Sequence, residues 1–204
     1  MILSQLKCVG VFTSTVLGGV LLANAAAASE QGPNYTFMEA GYAHVEFDDF
    51  QADGDALALQ GSFALNDMFN LVGSYQDGSI DSDFNVDVDV KTLELGGGMH
   101  FPLNPTVDLV TQLTWITTEI DAGSFGNVDD DGYGLGAGIR AMLTPRLELD
   151  GGIDYTDVAN EDETAFSGKV MYHFTDMFAM TGGFTVGDNT TTYGVGLRAN
   201  FRGM

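Results

Sequence analysis

Three histidines and an unusual number of carboxylates are the residues of this chain that could do chemistry. The sequence holds 29 aspartates and glutamates against 7 lysines and arginines, and its histidines are His44, His100 and His173. A histidine held close to an acid can act as a general base. Only His44, beside Glu46, lies in an acid-rich segment, and chance supplies one such pair in so acidic a chain. The sequence therefore predicts no enzyme, no catalytic residue and no cofactor.

Short runs of aspartate could instead bind divalent cations, because Ca²⁺ prefers several oxygen ligands. The residues in these runs are Asp53, Asp55, Asp83, Asp87, Asp129, Asp130 and Asp131. None of the runs follows the twelve-residue EF-hand pattern, and its terminal glutamate is absent. We therefore expect weak screening by Ca²⁺ or Mg²⁺ and no defined metal site. The competing interpretation is that mutual repulsion among these acids keeps an exposed rim soluble.

The overall charge and composition exclude two broad classes of protein. A formal net charge of −22 excludes nucleic acid as a partner, because phosphate binding needs clustered lysine and arginine. An apolar content of 45%, with 27 glycines and 14 phenylalanines, is too high for a disordered acidic tail. After residue 28 no stretch has the roughly 18 continuous apolar residues of a spanning helix. The chain is therefore expected to fold as a β-protein.

The first 28 residues have the organisation of a signal peptide. Lys7 is followed by the mostly apolar stretch 8–23, and small alanines end the segment at Ala28. Cleavage after Ala25 is the alternative. The prediction divides the chain into a signal peptide, 1–28, and one domain, 29–204. Processing would remove Cys8, the only cysteine, so the mature domain would have no disulfide.

Ten segments of the mature chain alternate apolar and other residues, which is the period of a β-strand. In segment 56–65, for example, Leu57, Leu59 and Phe63 share one face. The first segment is the least regular, and Glu39 indicates that its odd positions face inward, with Met38 outside. The ten predicted strands are 35–46, 56–66, 69–77, 89–102, 107–119, 133–143, 147–156, 165–174, 178–186 and 191–201. An eight-stranded structure is the alternative.

The connections between these segments are of two kinds. Tight turns rich in Asn, Asp, Thr and Pro join the segments near Asn66, Asn104, Thr144 and Thr175. The other connections are predicted as longer polar loops at 47–55, 77–88, 120–132 and 157–164, with a short one at 187–190. With their flanks, these loops hold 21 of the 29 acidic residues. Short turns at one end and acidic loops at the other are typical of an outer-membrane barrel.

Aromatic residues on the apolar face fall into two groups. Phe63, Phe101 and Phe178 are examples near the tight turns, and Trp115 and Tyr193 are examples near the acidic loops. Two aromatic rows around an apolar band suit a membrane with two interfaces, whereas a soluble sandwich or lipocalin-like barrel would bury that face. The predicted fold is all-β, a transmembrane antiparallel up-and-down β-barrel in the outer membrane.

The opposite, more polar face of the strands is expected to line the barrel lumen. A barrel of this size is just wide enough to be filled by side chains, and buried charges need partners. The predicted lumen charge network comprises Glu39, Glu94, Asp108, Arg140, Glu148, Asp150, Lys169 and Arg198. One hypothesis is a salt-bridged plug in a mainly structural barrel. The alternative is a narrow, cation-preferring, porin-like channel, since acids outnumber bases.

Several motifs resemble a family of small bacterial outer-membrane β-barrels. They are Glu39-Ala40-Gly41-Tyr42 and the segments 52–55, 61–65, 72–75 and 131–140. Members are described as porin-like, and one branch was proposed to act in quorum signalling of plant pathogens. The resemblance implies fold and location but no substrate.

We further expect certain partners for such a barrel. They are outer-membrane lipids, lipopolysaccharide and the barrel-assembly machinery. The last of these is expected because the final strand ends at the aromatic residue Phe201. The barrel itself is expected to be a monomer. A surface binding module for divalent cations, lipopolysaccharide or a host partner is the third functional hypothesis.

Overall fold

The chain forms a closed barrel of ten antiparallel strands, described by a computed structural model over residues 32–47, 52–82, 87–123, 126–159 and 161–201. Consecutive strands pair along the chain, and β1 pairs with β10 to close the barrel. The strands are β1 Phe37–Phe47, β2 Ala52–Ala64, β3 Phe69–Ser82, β4 Asp87–Asn104, β5 Val107–Asp121, β6 Asn127–Thr144, β7 Leu147–Val158, β8 Glu161–His173, β9 Phe178–Val186 and β10 Thr190–Asn200. The predicted fold class and strand number are confirmed, and the eight-stranded alternative is wrong. The predicted signal peptide, 1–28, lies outside the described residues and stays a prediction.

The irregular first strand has the orientation that the sequence indicates. Glu39 is buried inside the barrel, whereas Met38 and Tyr42 are exposed on the outer face. In register, Glu39 lies opposite Arg198 of β10 on one side and Gln60 of β2 on the other. Because side chains alternate between faces, a slip of one residue would put Glu39 outside. The register of the closing strand pair is therefore tied to a buried charge.

Four tight turns at one end of the barrel, the turn end, are built in the same way. At each, an Asn or Thr side chain accepts a hydrogen bond from a backbone N–H two residues further on. Asn66, for example, accepts from the N–H groups of Met68 at 2.9 Å and Phe69 at 3.0 Å. Such side chains imitate a backbone turn, which explains why these residue types recur here.

At the other end, the acidic end, the strands are longer than predicted. β3 continues to Ser82, β4 begins at Asp87 and β6 begins at Asn127, so most of the predicted loops are strand. In these extensions Ile80, Val88 and Val90 are buried inside the barrel, while Asp89 faces outward. The alternation persists, but its apolar side has switched from the outside to the inside. The predicted boundaries of these strands are therefore too short, because the prediction looked for apolar residues on the outer face.

The outer face of the barrel is a broad apolar surface. Leu57, Leu95, Leu113 and Leu197 each expose more than half of their surface. Aromatic side chains are exposed on both sides of this band, including Phe63 and Phe174 towards the turn end and Trp115 and Tyr193 towards the acidic end. A continuous apolar belt of this kind fits the lipid-facing surface of a barrel. Across the described residues, no helix is long and apolar enough to cross a membrane.

Gly96 is a position where two neighbouring strands of the wall come unusually close. A Cβ atom added at Gly96 of β4 would overlap the carbonyl oxygen of Leu113 and lie 2.7 Å from the Cα of Thr114 on β5. Glycine in a strand often marks such a close backbone approach. At the next residue, Gly97, the nearest atom to an added Cβ is the carbonyl oxygen of Asn70 at 3.8 Å, an ordinary contact.

Gly96→Ala is therefore expected to destabilise the barrel by about 1–3 kcal/mol, because the clash is with backbone that cannot move aside cheaply. Gly97→Ala is the matched control and should change the free energy of unfolding by less than about 0.5 kcal/mol. Urea unfolding of protein refolded into lipid vesicles measures both. Equal effects of the two substitutions would contradict the close approach of β4 and β5.

Candidate functional site

The eight charged residues predicted for the lumen are all buried and point into the barrel. The structure brings six of them together in two ionic clusters towards the turn end. One cluster contains Glu39, Lys169 and Arg198, and the other contains Arg140, Glu148 and Asp150. Glu94 and Asp108 belong to neither cluster.

Glu39 is the centre of the first cluster, and each of its oxygens has a cationic donor. Lys169 Nζ donates to Oε1 at 2.8 Å, and Arg198 Nε donates to Oε2 at 2.7 Å. The hydroxyl of Thr181 donates to Oε1 at 3.1 Å. The guanidinium of Arg198 also stacks 3.7 Å from the ring centre of Phe37. These contacts join four consecutive strands of the barrel wall, β8, β9, β10 and β1.

Arg140 on β6 is the centre of the second cluster. Its Nε donates to Glu148 Oε1 at 2.8 Å, and Asp150 lies 3.8 Å away. The second oxygen of Glu148 lies 3.1 Å from Nε2 of His173. Two acids around one buried guanidinium leave that guanidinium fully compensated, as burial of a charge requires.

The segment before β1 folds into the turn end of the lumen, and we call residues 32–36 the N-terminal plug. The ring of Tyr35 is buried and stacks on His100 with 3.7 Å between ring centres. Its hydroxyl donates to Asp108 at 2.8 Å, and Arg140 lies over its ring at 4.6 Å. Arg140 also donates to the carbonyl oxygen of Asn34 at 3.2 Å.

The sequence reasoning placed Tyr35 in the first strand and missed the plug. β1 begins only at Phe37, so Tyr35 lies before the strand and turns into the lumen. From the sequence alone, a tyrosine directly before an alternating segment looks the same whether it begins the strand or folds into the lumen. Its partners, His100, Asp108 and Arg140, lie on three other strands.

Inward-facing apolar side chains fill the acidic end of the lumen, and we call them the apolar cap. The fully buried members are Val45, Ala56, Ile80, Val88, Val90 and Ala122. Phe47 and Ile120 pack against them. Each of the strands β1 to β5 contributes at least one of these residues. Ala122 is not on a strand but directly follows β5. The inner wall of the barrel is therefore apolar along β1 to β5 at this end.

Between the clusters and the cap lies a third layer, the mid-lumen chamber, which contains Glu94 and Asp154. Glu94 on β4 is 4% exposed and Asp154 on β7 is 3% exposed. Asp154 Oδ2 accepts a hydrogen bond from Ser167 at 3.2 Å, while Asp154 Oδ1 and Glu94 Oε1 have no hydrogen-bond partner. Asp154 flanks the predicted loop 157–164 and is one of the 21 acids counted with the acidic loops, and that assignment is wrong because its side chain points inward.

The seven predicted cation-loop residues lie mainly on strands. Asp53 and Asp55 are on β2, Asp87 begins β4, and Asp129, Asp130 and Asp131 are on β6, whereas Asp83 lies outside the described residues. Asp53, Asp129 and Asp131 are exposed on the outer face. Within the described part of the chain, no group of three or more His, Cys, Asp or Glu side chains is placed to hold a metal ion.

His44, the histidine near the acidic end, pairs with an acid on the outer face of the barrel. Its Nδ1 lies 2.9 Å from Asp55 Oδ1, and both side chains are more than one third exposed. In register, His44 lies opposite Tyr193 of β10, in the aromatic row near the acidic end. The neighbour predicted from the sequence, Glu46, is not the hydrogen-bond partner.

Comparison with known proteins decides the family. Residues 12–174 match the family model described as outer membrane protein beta-barrel domain. The chain belongs to this family. Its members are barrels of the bacterial outer membrane, and the predicted location and family resemblance are therefore confirmed. Among curated proteins, no sequence matches this one significantly.

Solved structures agree with the family assignment at the level of the fold. The beta domain of the autotransporter Brka from Bordetella is 9% identical with a TM-score of 0.51, over 83% of this chain and 100% of that one. OprG from Pseudomonas aeruginosa is 13% identical with a TM-score of 0.47, over 85% and 99%. The KdgM porin in complex with disordered oligogalacturonate is 11% identical with a TM-score of 0.48, over 80% and 99%. Such low identities establish likeness of fold alone.

Removing Glu39 should destabilise this outer-membrane barrel strongly. Glu39→Gln leaves Lys169 and Arg198 buried without their common acid, and breaking a buried ion pair from one side costs about 3–5 kcal/mol. The free energy of unfolding in urea, measured in lipid vesicles, tests this. Glu46→Gln, the same change at an exposed position of the same strand, should cost less than about 0.5 kcal/mol.

The double variant Glu39→Gln, Lys169→Met gives a second check on the same pair. Because it also removes one of the two stranded cations, it should be more stable than Glu39→Gln alone. A double variant no more stable than the single one would show that Lys169 is not held by Glu39.

Proposed function

We propose that this protein is a closed, mainly structural barrel that presents an acidic surface outside the outer membrane. The observation that carries the proposal is that side chains obstruct the lumen at two levels. The apolar cap lies at the acidic end, and the N-terminal plug with the Arg140 cluster lies behind the mouth of the turn end. In this arrangement the turn end and both termini face the periplasm.

The space left inside the barrel supports a non-conducting lumen. The two cavities beside the ionic clusters have volumes of about 80 and 90 Å³, which accommodate only a few waters each. A wider cavity of about 880 Å³ forms the mouth of the turn end, and residues 32–36 of the N-terminal plug are among those that line it. A hydrated ion moving through would have to displace the cap, whose members are at most 4% exposed. An apolar constriction opposes ion passage by excluding water.

The outward acids at the acidic end support the surface part of the proposal. Cross-strand neighbours there include Glu119 opposite Asp129 and Asp89 opposite Asp121. Like charges directly opposite each other destabilise a sheet unless something screens them. Divalent cations shared with the phosphates of lipopolysaccharide would provide that screening, which is the surface-binding form of the proposal. We expect a monomer that is inserted by the barrel-assembly machinery.

A narrow, cation-preferring channel is the second candidate. The observation in its favour is the excess of acids over bases in the lumen, which would attract cations if the cap opened. It requires a rearrangement of both ends of the barrel, and for that reason we place it second.

Planar-bilayer recording of the refolded protein tests the closed lumen. The wild type is expected to give no discrete openings, because both seals exclude water. A variant that weakens both seals, Tyr35→Ala with Ile80→Ser and Val90→Ser, is expected to conduct and shows that the assay can detect this lumen. Heat-modifiable migration on gels confirms that each sample is folded.

Discrete, cation-selective openings of the wild type would overturn the proposal and establish the channel instead. The selectivity of the opened variant adds information about the lumen itself. Since six acids and three permanent cations are buried in the described lumen, its openings should favour cations over anions.

A further inference from the structure

Strand β6 continues further at the acidic end than its neighbour β7. The pairing of β6 with β7 stops at Gly132 opposite Val158, where the β7–β8 hairpin turns back. On its other side β6 stays paired with β5 as far as Asn127 opposite Asp121. Residues 127–131 therefore have a neighbouring strand on one side only, and we call them the open edge of β6. At about 3.4 Å per residue, this edge is roughly 17 Å long.

One hydrogen bond between the ends of β5 and β6 gives the direction of the backbone groups along the open edge. The N–H of Ala122 donates to the carbonyl oxygen of Gly126 at 3.0 Å, in the same register as the strand pair that follows. In an antiparallel pair, residues that bond to the neighbour alternate with residues whose N–H and C=O groups point away from it. The even-numbered residues of this edge therefore bond to β5, and the odd-numbered ones direct their groups to the open side. Those residues are Asn127, Asp129 and Asp131.

No partner for these backbone groups is found on the open side within the described part of the chain. The pairing with β7 begins only at Gly132, and the hydrogen bonds of the turns and loops do not reach this edge from the β7 side. Such an edge cannot lie in the hydrocarbon of a membrane, where each backbone group needs a partner. Residues 127–131 must therefore stand in water, beyond the lipid.

The side chains of the open edge carry negative charge on the outer face. Asn127, Asp129 and Asp131 are all exposed there. Asp129 lies opposite another acid, Glu119 of β5. A strand added to the edge would place every second side chain beside Asp129 and Asp131, and opposite charges in such positions stabilise a strand pair. The edge therefore suits a strand with lysine or arginine at alternate positions.

The same charges disfavour a second copy of this chain as the added strand. Charged side chains on an edge prevent it from pairing with an identical edge, because like charges would stand side by side. Two copies of the open edge would bring aspartates together along the whole contact. A partner that is basic avoids this repulsion and gains from the charges instead.

A second overhang, on β8, is already bridged by the chain itself. Residues 161–165 of β8 extend beyond the last pair with β9, Phe166 opposite Val186. There the carboxylate of Glu163 accepts a hydrogen bond from the hydroxyl of Thr190 at 3.2 Å, across the gap. The open edge of β6 is thus the better place for an added strand.

We propose that the open edge of β6 binds an extended segment of a basic partner protein, as an added strand with lysine or arginine at every second position. In this mode of recognition, backbone hydrogen bonds provide affinity and alternate side chains provide specificity. That the partner is extracellular rests on the orientation in the proposed function, whereas binding to the edge does not, and it does not depend on whether the lumen conducts.

A seven-residue peptide that alternates lysine with valine, labelled with a fluorophore, is the probe. Its binding to the refolded protein in nanodiscs of zwitterionic lipid is measured by fluorescence anisotropy, and a Kd in the micromolar range is expected. Two modified peptides of the same charge separate strand pairing from simple attraction. Methylation of the backbone nitrogens of the lysines removes the N–H groups that face Asp129 and should weaken binding at least about tenfold. Methylation of the valine nitrogens, which face away, should leave the affinity within about twofold.

Substitutions at one position test the same contact from the side of the protein. Asp129→Asn and Asp129→Pro both remove the charge, but only proline also removes an N–H that points to the open side. An edge strand tolerates proline at such a position. Asp129→Pro should therefore bind the peptide about threefold to tenfold more weakly than Asp129→Asn. Heat-modifiable migration on gels reports whether each variant folds; if Asp129→Pro does not, the two methylated peptides decide with the wild type.

The charge of the edge is tested by a double variant with a matched control. Asp129→Asn with Asp131→Asn should weaken binding at least about fivefold, because both opposite-charge neighbours of the added strand are lost. Glu46→Gln with Asp89→Asn removes two exposed acids from strands that are paired on both sides, and it should change the affinity by less than about twofold.

Three results would overturn the proposal. The first is a wild type that does not bind the unmodified peptide. The second is equal affinity for the two methylated peptides, or an equal loss in the two double variants, which would show attraction by the acidic surface as a whole. The third is chemical cross-linking of two wild-type copies in detergent micelles that Asp129→Pro abolishes, which would assign the edge to a second copy of this chain.

Discussion

Closure of the barrel between β1 and β10 is the constraint on which the rest of the structure depends. A sheet in lipid cannot leave an edge of unpaired N–H and C=O groups, so the first and last strands must find each other. The closing strand β1 has the weakest alternation of the ten. Its register is supported by Glu39, which lies opposite Arg198 and also binds Lys169 on β8. The ionic contact of Glu39 inside the lumen thus stabilises the register of β1 against β10. The apolar residues of β1 that face the lipid alternate too weakly to define that register.

Closure also determines what the interior can contain. Ten tilted strands leave a lumen that side chains nearly fill, so each layer must satisfy its own groups. Towards the turn end the groups are ionic and are paired; towards the acidic end they are apolar and pack like a small core. In the layer that contains Glu94 and Asp154, each of these two acids has one carboxylate oxygen without a hydrogen-bond partner.

The sequence predicted the strands better than the site because the two depend on different distances. A period of two is local, so the ten strands, their tight turns and the inward orientation of Glu39 could be inferred from neighbouring residues. The pairing of Glu39 with Lys169, 130 positions apart, depends on the tilt of the strands and the register around the barrel. For the same reason Asp154, near an acid-rich segment, could not be recognised as a lumen residue, and Tyr35 could not be recognised as part of a plug.

The direction in which the acids point favours a surface role over a pore. In a channel that attracts cations, the acids at the mouth would face inward, where their field would act on an entering ion. Here the inward positions at the acidic end are held by Val45, Ile80 and Val90, while Asp53 and Asp89 face outward. The outward acids therefore meet what surrounds the barrel, at the height where lipid gives way to the polar headgroups. The apolar cap separates these outward acids from the charged residues of the lumen, so their field acts mainly on what lies outside the barrel.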